Sequence, residues 1–147
     1  MSRITKSPAS ARSLQSLLVE ASRRATADLE RVLGPQGLPV EFWRVLEVLS
    51  DENGRSMSVL ADAVSMKLPS LSKLIDRMVA QALVQRAPDP LDQRRVLVYI
   101  SDVGLEKVRG LRGSVQKQRS SLESSLGTEA GRELKRLLQA FIGERSS

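Results

Sequence analysis

The stretch that decides the fold runs from Lys67 to Arg95 and reads KLPSLSKLIDRMVAQALVQRAPDPLDQRR. It opens with an amphipathic helix, predicted over about 68–81, whose apolar residues recur at helical spacing: Leu71, Leu74, Ile75 and Met78. A strand-like run over 83–86, a turn over 87–93 with two prolines, and a β-branched strand over 96–100 follow. A helix–turn–helix pair followed by strand, charged turn and strand is the order of a winged helix. We therefore predict a mainly α fold with a small β-wing (α+β).

The residues before this stretch complete the predicted winged helix–turn–helix domain, which we call the lobe. Residues 1–10 carry Ser, Pro and charge without periodicity, so we predict a flexible arm. Pro39 suits the first turn of a helix that continues to Leu49. A short third helix is predicted from Ser58 to Val64, with Ser58 as its N-cap. The winged helix–turn–helix domain is thus predicted to span residues 38–102.

Two outer regions, 11–34 and 103–147, are predicted to be helices with wide apolar faces. The later region is predicted to hold a long helix capped by Ser101 and a final helix capped by Thr128. One small domain cannot easily cover both sets of faces, but a second copy of the chain could. We predict a helical dimerisation region built from both chain ends. The alternative is that these helices wrap their own domain.

The composition favours some functions and argues against others. The 147 residues include 23 Lys plus Arg against 17 Asp plus Glu, a net charge of +6 that suits a polyanionic partner. Aromatic residues make up only 3%, which disfavours a single-strand binder that stacks bases. The absence of Cys and His removes the usual nucleophile, general base and metal ligands. We therefore expect no enzyme activity, catalytic residue, metal or cofactor.

The sequence also predicts where in the cell the protein is located. No uninterrupted apolar run reaches membrane-spanning length. The first residues, MSRITKSPASAR, lack the apolar core of a signal peptide. We therefore expect a cytoplasmic protein without a membrane partner.

From Leu60 to Gly104 the chain resembles the MarR family of bacterial transcriptional regulators. The stretch LADAVSMKLPSLSKLIDRMVAQALVQR fits the family's helix–turn–recognition-helix pattern without a gap, and Asp92-Gln93-Arg94 matches its wing signature. Ser101 to Gly104 matches the Ser/Thr-x-x-Gly start of the next helix, and Leu38 to Leu49 looks like the family's second helix. The resemblance implies a homodimer that binds a palindromic double-stranded DNA operator, commonly as a repressor released by a small aromatic or acidic ligand.

Four residues depart from the family's pattern. Ala82 stands where a helix-ending Gly is usual, and Ser65 replaces a common turn Gly. Lys67 occupies a position where an Asp or Ser cap is frequent. Pro69 removes one backbone donor that could otherwise bind a phosphate. None of these departures disturbs the polar face of the predicted helix or the wing.

Residues near the start of the predicted recognition helix are the candidates for reading DNA. Ser70, Ser72 and Lys73 lie where this motif presents side chains to the major groove. Lys can donate to the O6 and N7 atoms of guanine, while Ser hydroxyls accept many partners. Lys67, just before the helix, is assigned to the same surface. The alternative is that these side chains contact only phosphate or water.

The wing supplies the second group of candidates. We expect Arg94 to enter the minor groove, where negative potential is concentrated, and Asp92 to orient Arg94 or fix the turn. Arg95 and Arg86 flank the wing and are expected to serve phosphates. Arg77 is expected to be structural, bridging to Asp76 or to an acidic group on the wing. The alternative for the wing is a solvated, charged hairpin.

The resemblance also implies an effector pocket where the second helix meets the dimer helices. Phe42 or Trp43 would line it, and Arg44 would meet an effector carboxylate. Each aromatic taken alone is more simply a core residue, and Arg44 an exposed helix residue. A different function also stays open, a winged helix that binds a partner protein. Such a surface usually carries a Trp or Leu anchor, whereas this helix presents Ser and Lys.

Overall fold

The computed structural model describes residues 11–146, and the side chains of residues 11–143. The predicted arm, residues 1–10, lies outside the described residues. The fold is mainly α with one two-stranded antiparallel sheet, as predicted. A short 3-10 turn, Gly34–Gln36, follows the first helix. In chain order the other elements are α1 Leu14–Leu33, α2 Val40–Leu49, α3 Met57–Val64, α4 Leu68–Ala80, β1 Val84–Asp89, β2 Asp92–Ile100, α5 Asp102–Ser124 and α6 Thr128–Ser146.

One apolar core holds α2, α3, α4, the sheet and the first half of α5 together. The predicted stripe of α4 lies in this core. Fully buried partners come from α2, α3, the residue before β1, and β2: Phe42, Trp43, Leu46, Leu60, Leu83 and Val98. Burial of such side chains stabilises a fold by about 1.5–3 kcal/mol each, so this core fixes α4 relative to its neighbours.

The helix caps confirm one prediction and correct two. Ser101 Oγ accepts the N–H of Gly104 at 3.0 Å and caps α5, as predicted. The cap of α3 is Ser56, whose Oγ accepts the N–H of Val59 at 3.3 Å, so the assignment to Ser58 was wrong. The helix begins at Met57, which places Ser58 inside the first turn. Pro39 is likewise the N-cap of α2 rather than a first-turn residue.

Two non-glycine residues with positive φ end the two helices of the helix–turn–helix. Ser65 has φ 56° after α3, and Ala82 has φ 60° after α4. These are two of the positions at which the chain departs from the family's usual Gly. The backbone therefore keeps the left-handed conformation although a Cβ makes it more costly there.

The wing strands are longer than predicted. β1 runs to Asp89 and β2 begins at Asp92, so the turn consists of Pro90 and Leu91 instead of residues 87–93. The register pairs Val84 with Ile100 and becomes irregular after Pro88. Proline was read as a strand breaker, but a two-stranded ribbon has only edge strands, which tolerate it.

The outer helices leave apolar side chains exposed in the single chain. α1 packs against α5 and fully buries only Leu33. Gly131 lets α6 follow α5 closely, since a Cβ there would lie 2.2 Å from the Glu123 carbonyl oxygen. The exposed large apolar residues of α1, the end of α5 and α6 include Leu14, Leu17, Val19, Leu122, Leu126, Leu134 and Leu137.

Candidate nucleic-acid interface

The outward face of α4 carries the predicted polar residues. Lys67, Ser70, Ser72 and Lys73 are all exposed. Successive residues of a helix are rotated by about 100°, so residues between those of the buried stripe point away from the core. Lys67 is the N-cap residue and makes no side-chain capping bond. The hydroxyls and ammonium groups of this face are therefore accessible to a ligand.

The sides of α4 are held by two contacts that differ from the prediction. Asp76 accepts a hydrogen bond from the Arg86 guanidinium at 2.8 Å. The Arg77 guanidinium carbon instead lies 5.1 Å from the centre of the Phe42 ring. The expected ion pair of Arg77 with Asp76 or the wing was therefore wrong. Arg77 is structural through a cation–π contact because consecutive helix residues point in different directions.

The contact between Asp76 and Arg86 ties the base of the wing to α4. Arg86 belongs to β1, and its side chain is only partly exposed. Arg86, which was predicted to bind phosphate, is thus already paired with a carboxylate. The negative charge of Asp76 offsets part of the positive potential around the Arg86 guanidinium. The backbone adds a second tie, since the N–H of Leu83 donates to Met78 at 3.0 Å. Wing and helix therefore form one unit.

Arg94 projects from the wing beside the carboxylate predicted to orient it. Its Nε donates to Asp92 Oδ1 at 3.1 Å and its backbone N–H to the same oxygen at 3.1 Å. The side chain of Arg94 is 91% exposed, whereas that of Asp92 is 35% exposed. The hydrogen bond from Arg94 lowers the pKa of Asp92 below its usual value. Arg95, the next residue, is also exposed.

Arg55, just after the turn over residues 51–54, braces the back of the wing, a role that the sequence did not predict for this residue. Arg55 exchanges backbone hydrogen bonds with Val98 at 3.0 and 2.8 Å, and its guanidinium donates to Asp51 at 2.7 Å. This bond from Arg55, helped by the N–H of Asn53, lowers the pKa of Asp51 to about 2. Gly54 fits against the ring of Tyr99, since a Cβ there would lie 2.6 Å from it. The Asn53-Gly54 dipeptide is typical of a turn, but nothing in the sequence predicts the contact of Arg55 with β2.

The residues proposed for an effector pocket separate into two groups. Phe42 and Trp43 are each 1% exposed and belong to the core. Neither lines the two concavities that contain Arg44, so contact of either residue with an effector stays a prediction. The indole N–H of Trp43 is buried and has no hydrogen-bond partner within residues 11–146.

Arg44 is exposed and donates to Thr26 Oγ1 of α1 at 3.3 Å. It lines two concavities between α1 and the lobe. One has a volume of about 480 Å³ and lies between α1 and the start of α2. The other has a volume of about 440 Å³ and reaches Ser22, Glu47 and Ser65. Arg44 is thus the member of the predicted group that faces open space.

Other kinds of site find no support in the described part of the chain. Over residues 11–146, no three acidic side chains cluster closely enough to hold a metal ion. Within the same range, no helix combines the length and hydropathy needed to cross a bilayer.

Comparison with known proteins points to one family. The sequence model of the MarR family matches residues 36–95. The HTH-type transcriptional repressor IacR of Pseudomonas putida is 35% identical over 91 residues, which cover 62% of this chain and 54% of that protein. This chain spans about half the length of several curated relatives that it matches.

Two solved structures resemble the whole fold. The MarR family transcriptional regulator SPO1453 from Silicibacter pomeroyi has a TM-score of 0.76 and 30% identity, covering 88% of this chain and 93% of that one. A mutant of MarR from Escherichia coli, complexed with operator DNA, has a TM-score of 0.76 and 25% identity. That match covers 87% of this chain and 92% of the other. The likeness therefore includes the outer helices as well as the lobe.

Proposed function

Since this chain belongs to the MarR family of transcriptional regulators, which are not enzymes, we propose that it is a repressor that binds a palindromic DNA operator as a homodimer. The observation that carries the proposal is the joining of two cationic surfaces in one lobe. The exposed face of α4 and the exposed Arg94 of the wing are linked through the hydrogen bond between Asp76 and Arg86. A rigid pair of this kind suits adjacent grooves of a duplex.

In this proposal α4 lies in the major groove. Ser70, Ser72 and Lys73 face base edges near the start of the helix, and Lys67 contacts a phosphate. All four are exposed and none is needed by the core. Lys73 is the most informative of them, because an ammonium group that donates to guanine discriminates between base pairs.

The wing would enter the neighbouring minor groove with Arg94 leading. Asp92 limits the rotation of the guanidinium and so reduces the entropy lost on binding. Arg95 would contact phosphates. Arg86 would contact them more weakly, since its guanidinium is already paired with the carboxylate of Asp76. The cations make the affinity strongly dependent on salt.

Dimerisation would use the outer regions, 11–34 and 103–147, and leave residues 38–102 free for DNA. The support is the run of exposed leucines on α1, α5 and α6, which burial against a second copy would remove from water. A two-fold axis between the copies would place the two α4 helices about one DNA turn, roughly 34 Å, apart.

A small effector would act through Arg44. The concavity that contains Arg44 and Glu47 also reaches Ser65, the residue that joins α3 to α4. Glu47 accepts a hydrogen bond from Arg119 of α5 at 2.6 Å, so the same site lies beside a contact between the lobe and the dimer helices. An aromatic acid bound at Arg44 would stabilise a different angle between them and release the DNA.

The test begins with wild-type protein and fragments of the source genome. Fragments retained by the protein should share an inverted repeat, and light scattering at micromolar concentration should give a dimer. Failure to enrich any duplex would reject DNA binding and favour the protein-interaction alternative. A monomer would reject the two-fold arrangement. Adding a panel of aromatic carboxylic acids to the selected duplex then tests the effector.

The residue-level test is Arg94→Ala. Its loss should weaken binding of the selected duplex by on the order of 1–3 kcal/mol and leave the dimer intact. Arg112→Ala, which removes one exposed cation from α5 without touching the wing, controls for the loss of net charge, and light scattering checks that this variant still dimerises. Equal binding by Arg94→Ala and wild type at physiological salt would show that the wing assignment is wrong.

A further inference from the structure

The apex of the wing is apolar, although the hairpin around it is charged. Leu91 is 95% exposed, which makes it the most exposed large apolar residue in the described chain. It forms the turn with Pro90, and the strands on either side end in Asp89 and Asp92. The turn at the end of the wing therefore carries a proline ring and an isobutyl group.

The fold itself does not require a leucine at this position. Leu91 lies outside the apolar core, and it is not one of the residues with positive φ, so no turn geometry selects it. Hairpin turns are usually filled by Asn, Asp or Gly, which satisfy the backbone at low cost. The side chain of Leu91 is therefore free to make a contact outside the chain.

The geometry of the apex is well suited to such a contact. Asp89 Oδ1 accepts the N–H of Leu91 at 2.9 Å, which holds the turn in one conformation. Asp92 is engaged with Arg94. Both carboxylates flanking the turn therefore have hydrogen-bond partners, and the side chain of Leu91 is left exposed between them in the sequence.

We propose that Leu91 is a further DNA-binding residue, which packs against the deoxyribose walls of the minor groove that Arg94 enters. The inference rests on the proposed function, because it assumes that the wing meets a duplex. Leucine and proline are among the apolar side chains that minor-groove proteins use. This contact would add affinity that does not depend on salt, unlike the contact of Arg94 with the groove.

The experiment measures affinity for the wild-type-selected duplex at several salt concentrations. Leu91→Ala should weaken binding about 5- to 20-fold, through lost apolar contact, with the slope of log affinity against log salt unchanged. Arg94→Ala should weaken binding and lower that slope by about one for each wing. Leu91→Met should bind like wild type, since it keeps a similar apolar volume. Val59→Ala, which truncates another half-exposed aliphatic side chain on α3, outside the wing and the dimerisation region, is the matched control.

Each outcome decides the matter. A salt-independent loss in Leu91→Ala, with Leu91→Met and Val59→Ala unaffected, supports the contact. Wild-type affinity in Leu91→Ala overturns it, and so does a loss accompanied by a lower salt slope, which would mean that the substitution disturbs Arg94. If the wild-type protein retains no duplex, the proposed function fails and this inference falls with it. Failure of the inference alone appears only in the variant.

Discussion

Replacing Gly104 with Ala should separate a glycine required by packing from glycines that merely weaken a helix. An added Cβ would lie 2.3 Å from the carbonyl oxygen of Leu83 and 2.9 Å from Cγ1 of Ile100. That oxygen accepts the N–H of Ser101 at 3.0 Å and its hydroxyl at 2.9 Å. It cannot retreat without breaking the contact that joins α5 to the wing.

The magnitude follows from three contributions. Overpacking costs about 1–3 kcal/mol, and weakening the Ser101 cap costs about 1 kcal/mol. Alanine favours a helix over glycine by at most about 1 kcal/mol, which offsets part of this loss. The free energy of unfolding of Gly104→Ala should therefore fall by about 1–3 kcal/mol.

The assay is urea denaturation followed by the fluorescence of Trp43, the single tryptophan of the chain, which is buried in the lobe. Protein concentration is held constant because dimerisation would add to the apparent stability. Gly110→Ala and Gly113→Ala are matched controls, since neither Cβ would meet an atom within 4 Å. Each should raise stability by up to about 1 kcal/mol. If Gly104→Ala were also stabilising, the packing explanation would be refuted.

Two further predictions concern the turns that hold α4 and the wing. Ala82→Gly should stabilise the protein by about 0.5–1 kcal/mol, because the left-handed conformation at φ 60° costs alanine more than glycine. The control Ala80→Gly, inside α4, should instead be destabilising by about 1 kcal/mol in the same denaturation assay. The ion pair of Asp51 with Arg55 should stabilise the fold above about pH 4, and this contribution should vanish as pH falls towards 2, because the pKa of Asp51 is lowered to about 2. Its size should stay below about 1 kcal/mol, since Asp51 is half exposed. The difference in unfolding free energy between wild type and Asp51→Asn, measured from pH 2 to 6, should therefore shrink on acidification. A difference that grows would contradict the assigned pKa.

Several parts of the fold follow from the sequence because they depend on near neighbours. The stripe of Leu71, Leu74, Ile75 and Met78 determines which face of α4 is buried, and the same periodicity leaves Ser72 and Lys73 exposed. Ser101 begins α5 through a hydrogen bond to a residue only three positions away. Helical periodicity and capping are local, so the residues alone are enough to predict them.

Other features needed the tertiary structure because they join residues that are distant in sequence. Arg77 stacks on Phe42, 35 positions away, and Asp76 therefore becomes available to Arg86. The sequence shows how many cationic and acidic side chains there are, but it does not show which of them are close enough in space to pair. The wing strands were likewise underestimated, since tolerance of Pro88 depends on both strands lying at an edge.

Local interactions were enough to predict the order of helices and strands, the buried face of α4 and the cationic wing, because each arises within a few residues of the chain. Contacts between distant elements determine which carboxylate meets which guanidinium, place Phe42 and Trp43 in the core, and leave Leu91 exposed in the turn of the wing. Those outcomes depend on how separate elements pack. Packing brings side chains into contact that lie far apart in the sequence, so their contacts cannot be predicted from their positions along the chain.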